Sequence, residues 1–188
     1  MVAVVVVNFA APMKHPQKEC GGCTACCKIM AIRELDKPAH QWCGHCAIGK
    51  GCSIYDDRPQ SCRDFECAWL QAGPEVLDDS FRPDRVKVVF TASGDKLVAH
   101  CDPASSAWRQ PKIMEVLWHA ANKKGHSIVR AGRRFYVVTP DKEYEAGEDM
   151  LVRKPNGEID VKVPYMNGVP AIDLYNKLGE NRAAVWRG

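Results

Sequence analysis

Hydrophobic and polar residues alternate in several short stretches of the later part of the chain. Alternation with a period of two is typical of a half-buried β-strand, and a turn-forming sequence between two such stretches predicts a β-hairpin. Three hairpins are predicted in this way: Arg85 to Phe90 with Lys96 to Cys101 around Ser93-Gly94-Asp95, Ser127 to Arg130 with Arg133 to Thr139 around Ala131-Gly132, and Asp149 to Lys154 with Glu158 to Val163 around Asn156-Gly157. The last of these is the strongest turn signal in the chain.

Apolar residues recur at helical spacing between the first and second hairpins. Ser105 and Ser106 can cap a helix that runs to about Lys124, and Gly125 can end it. Its apolar face would consist of Trp108, Ile113, Val116, Leu117 and Ala120. A shorter helix is expected near Ile172 to Leu178. One long helix beside several hairpins predicts an α+β fold, with an antiparallel sheet packed on the long helix.

Composition divides the chain into three regions. Residues 1–19 form an N-terminal segment, in which the valines between Val2 and Phe9 favour a strand. Residues 20–72 form a cysteine-cluster region, predicted to be a small metal-binding lobe with short helices, and residues 73–188 form the α+β region. The apolar start has no basic flank and no convincing cleavage site, so it is a poor signal peptide and a cytoplasmic location is expected.

The overall composition is that of an ordinary globular protein, with 46% hydrophobic and 26% charged residues. No apolar run approaches the ~18 residues of a membrane span, so no membrane partner is expected. The formal net charge is only +3, which argues against a nucleic-acid partner. A basic run fits the outer face of a hairpin better; its members are Lys123, Lys124, His126, Arg130, Arg133 and Arg134.

Nine of the ten cysteines lie between Cys20 and Cys67. Their order is Cys20-x2-Cys23-x2-Cys26-Cys27, then Cys43-x2-Cys46, then Cys52, Cys62 and Cys67. Cytosolic thiols are kept reduced, and an odd number of clustered cysteines argues against a closed disulfide framework. A Cys-x-x-Cys turn brings two sulfurs to one side of the chain, as a tetrahedral ion requires. The spacing therefore predicts a metal-binding region.

The spacing leaves the number and type of metal open. Adjacent Cys26 and Cys27 send their side chains in different directions, which favours two neighbouring sites, or one cluster with a spare thiol. The run from Cys20 to Cys26 also matches the first three ligands of a bacterial-type iron–sulfur motif. His40 and His45 could replace a thiol, but enough thiols are already present. Cys101 is expected to be a buried residue at a strand end.

Thiolate sites of this kind carry surplus negative charge, which nearby cations can offset. Lys28, Lys50, Arg58 and Arg63 are placed along the sequence to do so. The region has few large apolar side chains, so we expect it to unfold when its metal is removed.

The segment from Cys20 to Cys67 resembles the CxxCxxCC cysteine-cluster family, also called YkgJ-like. The most specific part is CSIYDDRPQSCRDFEC, from Cys52 to Cys67, which fits the family pattern C-x-I-Y-x-x-R-P-x-x-C-R-x-F-x-C. The resemblance covers roughly residues 20–70 and implies a zinc- or iron-chelating domain, related to the domain of flagellin lysine N-methylases. It implies ligands at Cys20, Cys23, Cys26, Cys27, Cys46, Cys52, Cys62 and Cys67, with Cys43 as an extra thiol beside Cys46.

Three functions are compatible with these features. The leading one is a metal-binding protein that chelates zinc or iron through the cysteine cluster, with an iron–sulfur cluster as one form of the iron. The second is an iron–sulfur redox enzyme or one related to protein methylation. The third is a zinc-scaffolded module that binds a protein or nucleic acid. No Gly-rich cofactor turn and no paired-carboxylate or Ser-His-Asp pattern stands out, so no catalytic residue is named.

Overall fold

The structure is a computed structural model that describes residues 15–93, 96–155, 159–173 and 176. Within these residues the α-helices are α1 (Ala25–Ile29), α2 (Gln60–Asp64), α3 (Ala68–Gln71), α4 (Pro83–Val86) and α5 (Pro111–Lys124). The strands are β1 (Cys46–Ala47), β2 (Gly51–Cys52), β3 (Val88–Ser93), β4 (Lys96–Cys101), β5 (Ser127–Ala131), β6 (Arg134–Val138), β7 (Glu143–Glu145), β8 (Leu151–Arg153), β9 (Ile159–Val161), β10 (Tyr165–Met166) and β11 (Val169–Pro170).

Some predicted elements lie outside the described residues. They are the strand from Val2 to Phe9, the turn residues Gly94-Asp95 and Asn156-Gly157, and most of the helix from Ile172 to Leu178. The described elements form an α+β fold, as predicted. Its centre is a five-stranded sheet in the order β3-β4-β5-β6-β7.

The strand pairs of all three predicted hairpins are present. β3 pairs with β4 and β5 with β6 inside the main sheet, while β8 and β9 form a separate two-stranded sheet. The predicted start of the first strand is wrong, because Arg85 lies in α4 and β3 begins at Val88. Pro83 starts this short helix, and Lys87 ends it with a left-handed φ of 61°.

The main sheet is mixed, which corrects the prediction of an antiparallel sheet. β4 and β5 run parallel, with Val98 opposite Ile128. Parallel neighbours cannot be joined by a tight turn and need a crossover connection, usually a helix. Here α5 is that connection, and it contacts both strands.

The long helix begins later than predicted. Gln110 is extended, with ψ of 137°, and α5 starts at Pro111, whose missing N–H would have no partner at a helix start. Residues Ala107–Arg109, which include buried Trp108, form a separate 3₁₀ turn. Gly125 ends the helix at a φ of 85°, as predicted. No helix among the described residues is both long and apolar enough to cross a membrane.

One hydrophobic core joins the cysteine-cluster region to the sheet. Ile29 and Trp69 from that region belong to the same buried cluster as Val89 of β3 and Leu117 of α5. Helices α1, α3 and α4 all contact β3, the strand at one edge of the sheet. The cysteine-cluster region is therefore packed on the sheet edge.

A second hydrophobic cluster lies on the other face of the sheet. Val98 and Val137 of the central strands pack there with Met150 and with Val161 of β9. Neighbouring residues of a strand point to opposite faces, so Val98 belongs to this cluster while Ala99 belongs to the first. The sheet is covered on both sides, which explains the buried central strands.

Candidate metal centre

A cavity of about 250 Å³ lies inside the cysteine-cluster region. Eight of the nine clustered cysteines line it: Cys20, Cys23, Cys26, Cys27, Cys43, Cys52, Cys62 and Cys67. Cys46, the ninth, lies within hydrogen-bonding distance of Cys27. The cysteines are present as thiols rather than disulfides. The fold thus brings together the residues that the sequence predicts as ligands.

The first thiols are positioned by a tight turn and by α1. The N–H of Cys23 donates to the carbonyl oxygen of Cys20 at 2.7 Å, and Gly21 takes a left-handed φ of 47°. A Cβ atom on Gly22 would lie only 2.6 Å from the carbonyl oxygen of Gly49, so only glycine fits between these two loops. α1 then carries the adjacent cysteines at positions 26 and 27.

The second Cys-x-x-Cys sequence forms a matching turn. The N–H of Cys46 donates to the carbonyl oxygen of Cys43 at 3.0 Å. The N–H of Cys43 in turn donates to the carbonyl oxygen of Cys27, also at 3.0 Å. β1 and β2 then place Cys46 directly opposite Cys52. A hydrogen bond of 3.2 Å from the N–H of Gly49 to the Thr24 hydroxyl ties this hairpin to the first turn.

The last two thiols lie at α2 and at the start of α3. Pro59 precedes α2, and the carboxylate of Glu34 accepts bonds of 2.9 and 2.7 Å from the N–H and hydroxyl of Ser61. This contact fixes the helix that carries Cys62. Cys67 is the residue before α3, and the N–H groups of Leu70 and Trp69 bond to its sulfur.

Three of the thiols form one electrostatic group, which we call the inner thiol group: Cys20, Cys23 and Cys67. Burial raises the pKa of Cys67 to about 11, and the charges of the other two members add to the increase. Burial also raises the pKa of Cys23, although hydrogen bonds from the N–H groups of Ala25 and Asp84 partly oppose the increase. Arg82 also lies near Cys23 and donates two bonds of 2.8 Å to the Asp84 carboxylate.

Five thiols form a second group, the outer thiol group: Cys26, Cys27, Cys43, Cys46 and Cys62. A hydrogen bond with Cys26, followed by burial, raises the pKa of Cys27. Burial raises the pKa of Cys46 to about 11, with Cys27 as the next cause. Burial raises the pKa of Cys62 as well, and Cys27 and Cys43 add to that increase. Cys52 faces Cys46 across β1 and β2 and lines the shared cavity.

Two buried lysines lie beside these groups, and sequence reasoning missed both. Lys37 is 7% exposed, and its ammonium donates to the carbonyl oxygens of Lys28, at 3.0 Å, and of Met30. Lys18 is 4% exposed and donates to the carbonyl oxygens of Trp69 and Leu77 at 2.9 and 2.5 Å. Burial lowers the pKa of each lysine.

Thiol charge acts on both ammonium groups. For Lys37 the causes that oppose the fall in pKa are the charges of Cys43, Cys27, Cys26 and Cys62, all members of the outer group. For Lys18 the opposing charges are those of Asp79, then Cys67 of the inner group, then Glu75 and Asp78. The outer thiols would thus oppose the fall in the pKa of Lys37, whereas Asp79 comes before Cys67 among the causes that oppose the fall in the pKa of Lys18.

The cations predicted from the sequence have other contacts. Lys28 forms an ion pair with Asp102, and Arg63 donates to the carbonyl oxygens of Arg58 and Asp56 at 2.9 and 2.7 Å. The guanidinium of Arg58 lies 3.9 Å from the ring centre of Tyr55. Lys50 is exposed.

The remaining sequence expectations concern residues around the cluster. His45 lines the cavity, whereas His40 lies near Asp102, outside the cavity lining. Cys101 is fully buried in the sheet, as predicted, and its sulfur lies 3.6 Å from the carbonyl oxygen of Arg130. Burial raises the pKa of Cys101 to about 12.

The sulfur atoms surround the cavity without closing on one point. Among the described residues, no three Cys, His, Asp or Glu side chains are arranged tightly enough to hold an ion as they stand. The donor set nevertheless fits a soft metal, since thiolates select zinc and iron–sulfur clusters. Comparison of the chain with protein-family models, with curated proteins and with solved structures gave no match.

Proposed function

We propose that this protein binds zinc or iron through its cysteine cluster, with an iron–sulfur cluster as one form of the iron. The observation that carries the proposal is the convergence of eight thiols on one small cavity, with the ninth, Cys46, within hydrogen-bonding distance of Cys27. These thiols come from positions between 20 and 67 in the sequence and from separate turns, helices and strands.

Thiol crowding is the first argument. Burial, followed by the charges of neighbouring thiols, raises the pKa values of Cys46, Cys62 and Cys67, so both causes disfavour the thiolate form. A bound cation reverses this effect, since a coordinating thiol is deprotonated outright. A bound cation would supply the positive charge that these crowded thiolates lack.

Cavity size is the second argument. A water molecule needs about 10–15 Å³ of such space, and the cavity has about 250 Å³. The sulfurs are thus not packed against one another as a closed core would be. A zinc–sulfur bond is about 2.3 Å long, so the sulfurs would have to turn toward a common point, and the cavity leaves space for rotation about their Cα–Cβ bonds.

The two thiol groups favour two neighbouring centres. Cys26 and Cys27 are adjacent in the sequence, yet both belong to the outer group. The inner group instead combines Cys20 and Cys23, from the first turn, with Cys67. We assign one centre to each group, with Cys52 at the boundary. A bound metal would supply the cross-link that holds these segments together.

A protein-binding module scaffolded by the same metal is the second candidate. Trp42, Ile48 and Tyr55 lie in the cysteine-cluster region and are 41%, 62% and 51% exposed. Aromatic side chains such as those of Trp42 and Tyr55 are enriched at protein interfaces. The proposal includes a reducing compartment such as the cytoplasm, where clustered thiols persist.

Metal analysis of anaerobically purified protein tests the proposal. We expect one to two zinc ions, or iron with a matching visible spectrum, per chain. The Cys101→Ala variant is the matched control, because this thiol lies outside the cluster, and its metal content should equal that of the original protein. A compact protein that contains neither zinc nor iron, with its thiols fully reactive, would contradict the proposal.

A further inference from the structure

We propose that a groove between the sheet and the cysteine-cluster region binds a phosphorylated small molecule. The groove has a volume of about 880 Å³ and is called the basic groove here. Its lining comes from residues 39–40 of the cysteine-cluster region, from residues within 103–109, which connect β4 to α5, and from residues within 131–136 at the β5–β6 turn. No thiol takes part, so the inference goes beyond the proposed function.

The charge of the lining is the first observation. Three arginines line the basic groove: Arg109, Arg133 and Arg134. None of the lining residues that the structure describes carries a carboxylate. A cleft whose charges have one sign concentrates the electric field and raises the local concentration of ions of the opposite sign. The ligand is therefore expected to be an anion.

Two of the guanidinium groups are held in place from the side of the sheet. Through Nε and Nη2, Arg109 donates bonds of 3.1 and 2.6 Å to the Glu143 carboxylate. Arg134 donates bonds of 2.8 and 2.6 Å to Glu145 in the same way. Both guanidinium groups also lie beside the Tyr136 ring, 5.3 and 5.4 Å from its centre. Within the described part of the chain, Nη1 of each arginine has no partner and remains available to a ligand.

The third arginine is the one whose charge is not balanced. Arg133 is exposed at the β5–β6 turn, and no described carboxylate forms an ion pair with it. Its neighbour Gly132 has a left-handed φ of 66°, and a Cβ atom there would lie 2.7 Å from the Cβ atom of Pro103. This close approach places the backbone of the turn against the β4–α5 connection, beside the other two arginines.

A phosphate group fits these donors. Guanidinium and phosphate groups form paired, charge-assisted hydrogen bonds, and a phosphate monoester carries about −1.5 to −2 charges at pH 7. The Ser105 hydroxyl also lines the groove; it accepts a bond of 3.1 Å from the N–H of Ala107, which leaves its own hydrogen for a phosphate oxygen.

The size of the groove favours a small molecule over a polymer. Its volume lies within the range of about 300–1,000 Å³ that is usual for small-molecule sites. A nucleic acid would need a basic surface well beyond one groove, and the formal net charge of the chain is only +3. The expected ligand is therefore a phosphate monoester of nucleotide size or smaller.

Isothermal titration calorimetry of the full chain in phosphate-free buffer tests the inference. The probes are ribose 5-phosphate and AMP, and ribose and adenosine are the matched ligands that lack a phosphate. We expect at least one phosphorylated probe to bind with a Kd below about 1 mM. Its affinity should be about tenfold or more above that of its unphosphorylated counterpart, because charge-assisted hydrogen bonds are lost without the phosphate.

Four variants locate the binding. Arg133→Gln should lower the affinity of the phosphorylated probe by about tenfold or more, and Arg133→Lys should recover only part of it, since an ammonium lacks the paired donors. Arg134→Gln combined with Glu145→Gln removes a guanidinium without changing the net charge and should also weaken binding. Arg153→Gln, at an exposed arginine of β8 outside the lining, is the matched control and should have little effect.

The outcomes decide the inference separately from metal binding. Circular dichroism checks that each variant is folded. If neither phosphorylated probe binds, or if Arg133→Gln and Arg153→Gln weaken binding equally, the inference is overturned while metal binding can still stand. A single-stranded RNA that binds more tightly than AMP, and depends in the same way on Arg133, would assign the groove to nucleic acid and also overturn the inference.

Discussion

The sheet and the cysteine-cluster region are built in different ways. Strands β3 to β6 have five or six residues each and pack apolar side chains on both faces. In the cysteine-cluster region α1 to α3 have only four or five residues, and β1 and β2 have two. Turns, hydrogen bonds to side chains and thiols dominate there. The sheet can be stable through apolar burial, whereas we expect a bound metal to add to the stability of the cysteine-cluster region.

The two regions nevertheless share one core. Trp69 is 4% exposed among sheet residues, and its indole N–H donates to the carbonyl oxygen of Asp78 at 3.1 Å. The side of the cysteine-cluster region that faces the sheet is therefore held by ordinary packing. The side around the cavity, which contains the outer thiol group, is where a metal is expected to matter most.

Metal removal should have the largest effect on this comparison. A structural zinc contributes about 10–16 kcal/mol to folding, so chelation should unfold the segment from Cys20 to Cys67. Amide hydrogen exchange, read by mass spectrometry, should show lost protection in that segment and retained protection in β4 and β5. Unchanged exchange in both regions after complete metal removal would contradict the expectation.

A cavity in the sheet core should have the next largest effect. Leu117 of α5 is fully buried, so Leu117→Ala should lower the free energy of unfolding by about 2–5 kcal/mol. Metal content should stay unchanged, because this side chain lies outside the cavity lining. Val152→Ala, at a site 44% exposed, is the control and should stay within about 0.5 kcal/mol. Denaturant unfolding measures both, and equal effects of the two variants would show that the core does not carry the stability.

Much of the sheet is predictable from the sequence, because alternation and turn residues are local signals. The predicted strand from Lys96 to Cys101 has the observed bounds of β4, and the predicted strands of the β5–β6 hairpin agree with the observed ones within one residue at every end. The parallel pairing of β4 with β5 was missed, although a helix between two strands is its usual signal. The helix begins at Pro111 and not after Ser106, because proline fits a first helical position and Ala107–Arg109 form a separate 3₁₀ turn.

The cysteine-cluster region is less predictable, because its contacts join distant residues. The spacing of the thiols predicted that they would meet, and they share one cavity. The burial of Lys18 depends on carbonyl groups 51 and 59 residues away, which no local pattern reveals. Lys28 is closer in sequence to the cysteines than Lys37 is, yet it turns toward Asp102. The contacts of Lys28 therefore depend on the direction of its side chain and not on its distance from the cysteines in the sequence.

A substitution at the contact of two thiol-bearing loops should have an intermediate effect. Gly22→Ala places a Cβ atom 2.6 Å from the carbonyl oxygen of Gly49, and the backbone must move to relieve the overlap. We expect a loss of about 1–3 kcal/mol, typical of overpacking, and faster metal release to a chelator. Gly44→Ala is the matched control, since a Cβ atom there meets nothing within 4 Å. Equal metal-release rates for the two variants would argue against a role of this close approach.

The ion pair between the two regions should have the smallest effect. Lys28, in α1, pairs with Asp102 at the end of β4, and the N–H of Ala104 donates to the same carboxylate at 3.0 Å. The hydrogen bond from Lys28, followed by that from Ala104, lowers the pKa of Asp102 below its ordinary value of 3.8. Since the pair is partly exposed, Asp102→Asn should cost only about 0.2–1 kcal/mol.

The direction of the pH dependence follows from that lowered pKa. A carboxyl group whose pKa is lower in the folded state stabilises the fold above its unfolded pKa, and this stabilisation is lost as the pH falls through the folded pKa. The contribution of Asp102 should therefore be complete above about pH 4 and decline below it. Asp102→Asn should remove this part of the pH dependence. The control Asp160→Asn breaks the ion pair with Lys154 in the β8–β9 hairpin and should leave the contribution of Asp102 unchanged. A pKa of 3.8 or higher for Asp102, measured by NMR titration, would show that the ion pair does not link the two regions.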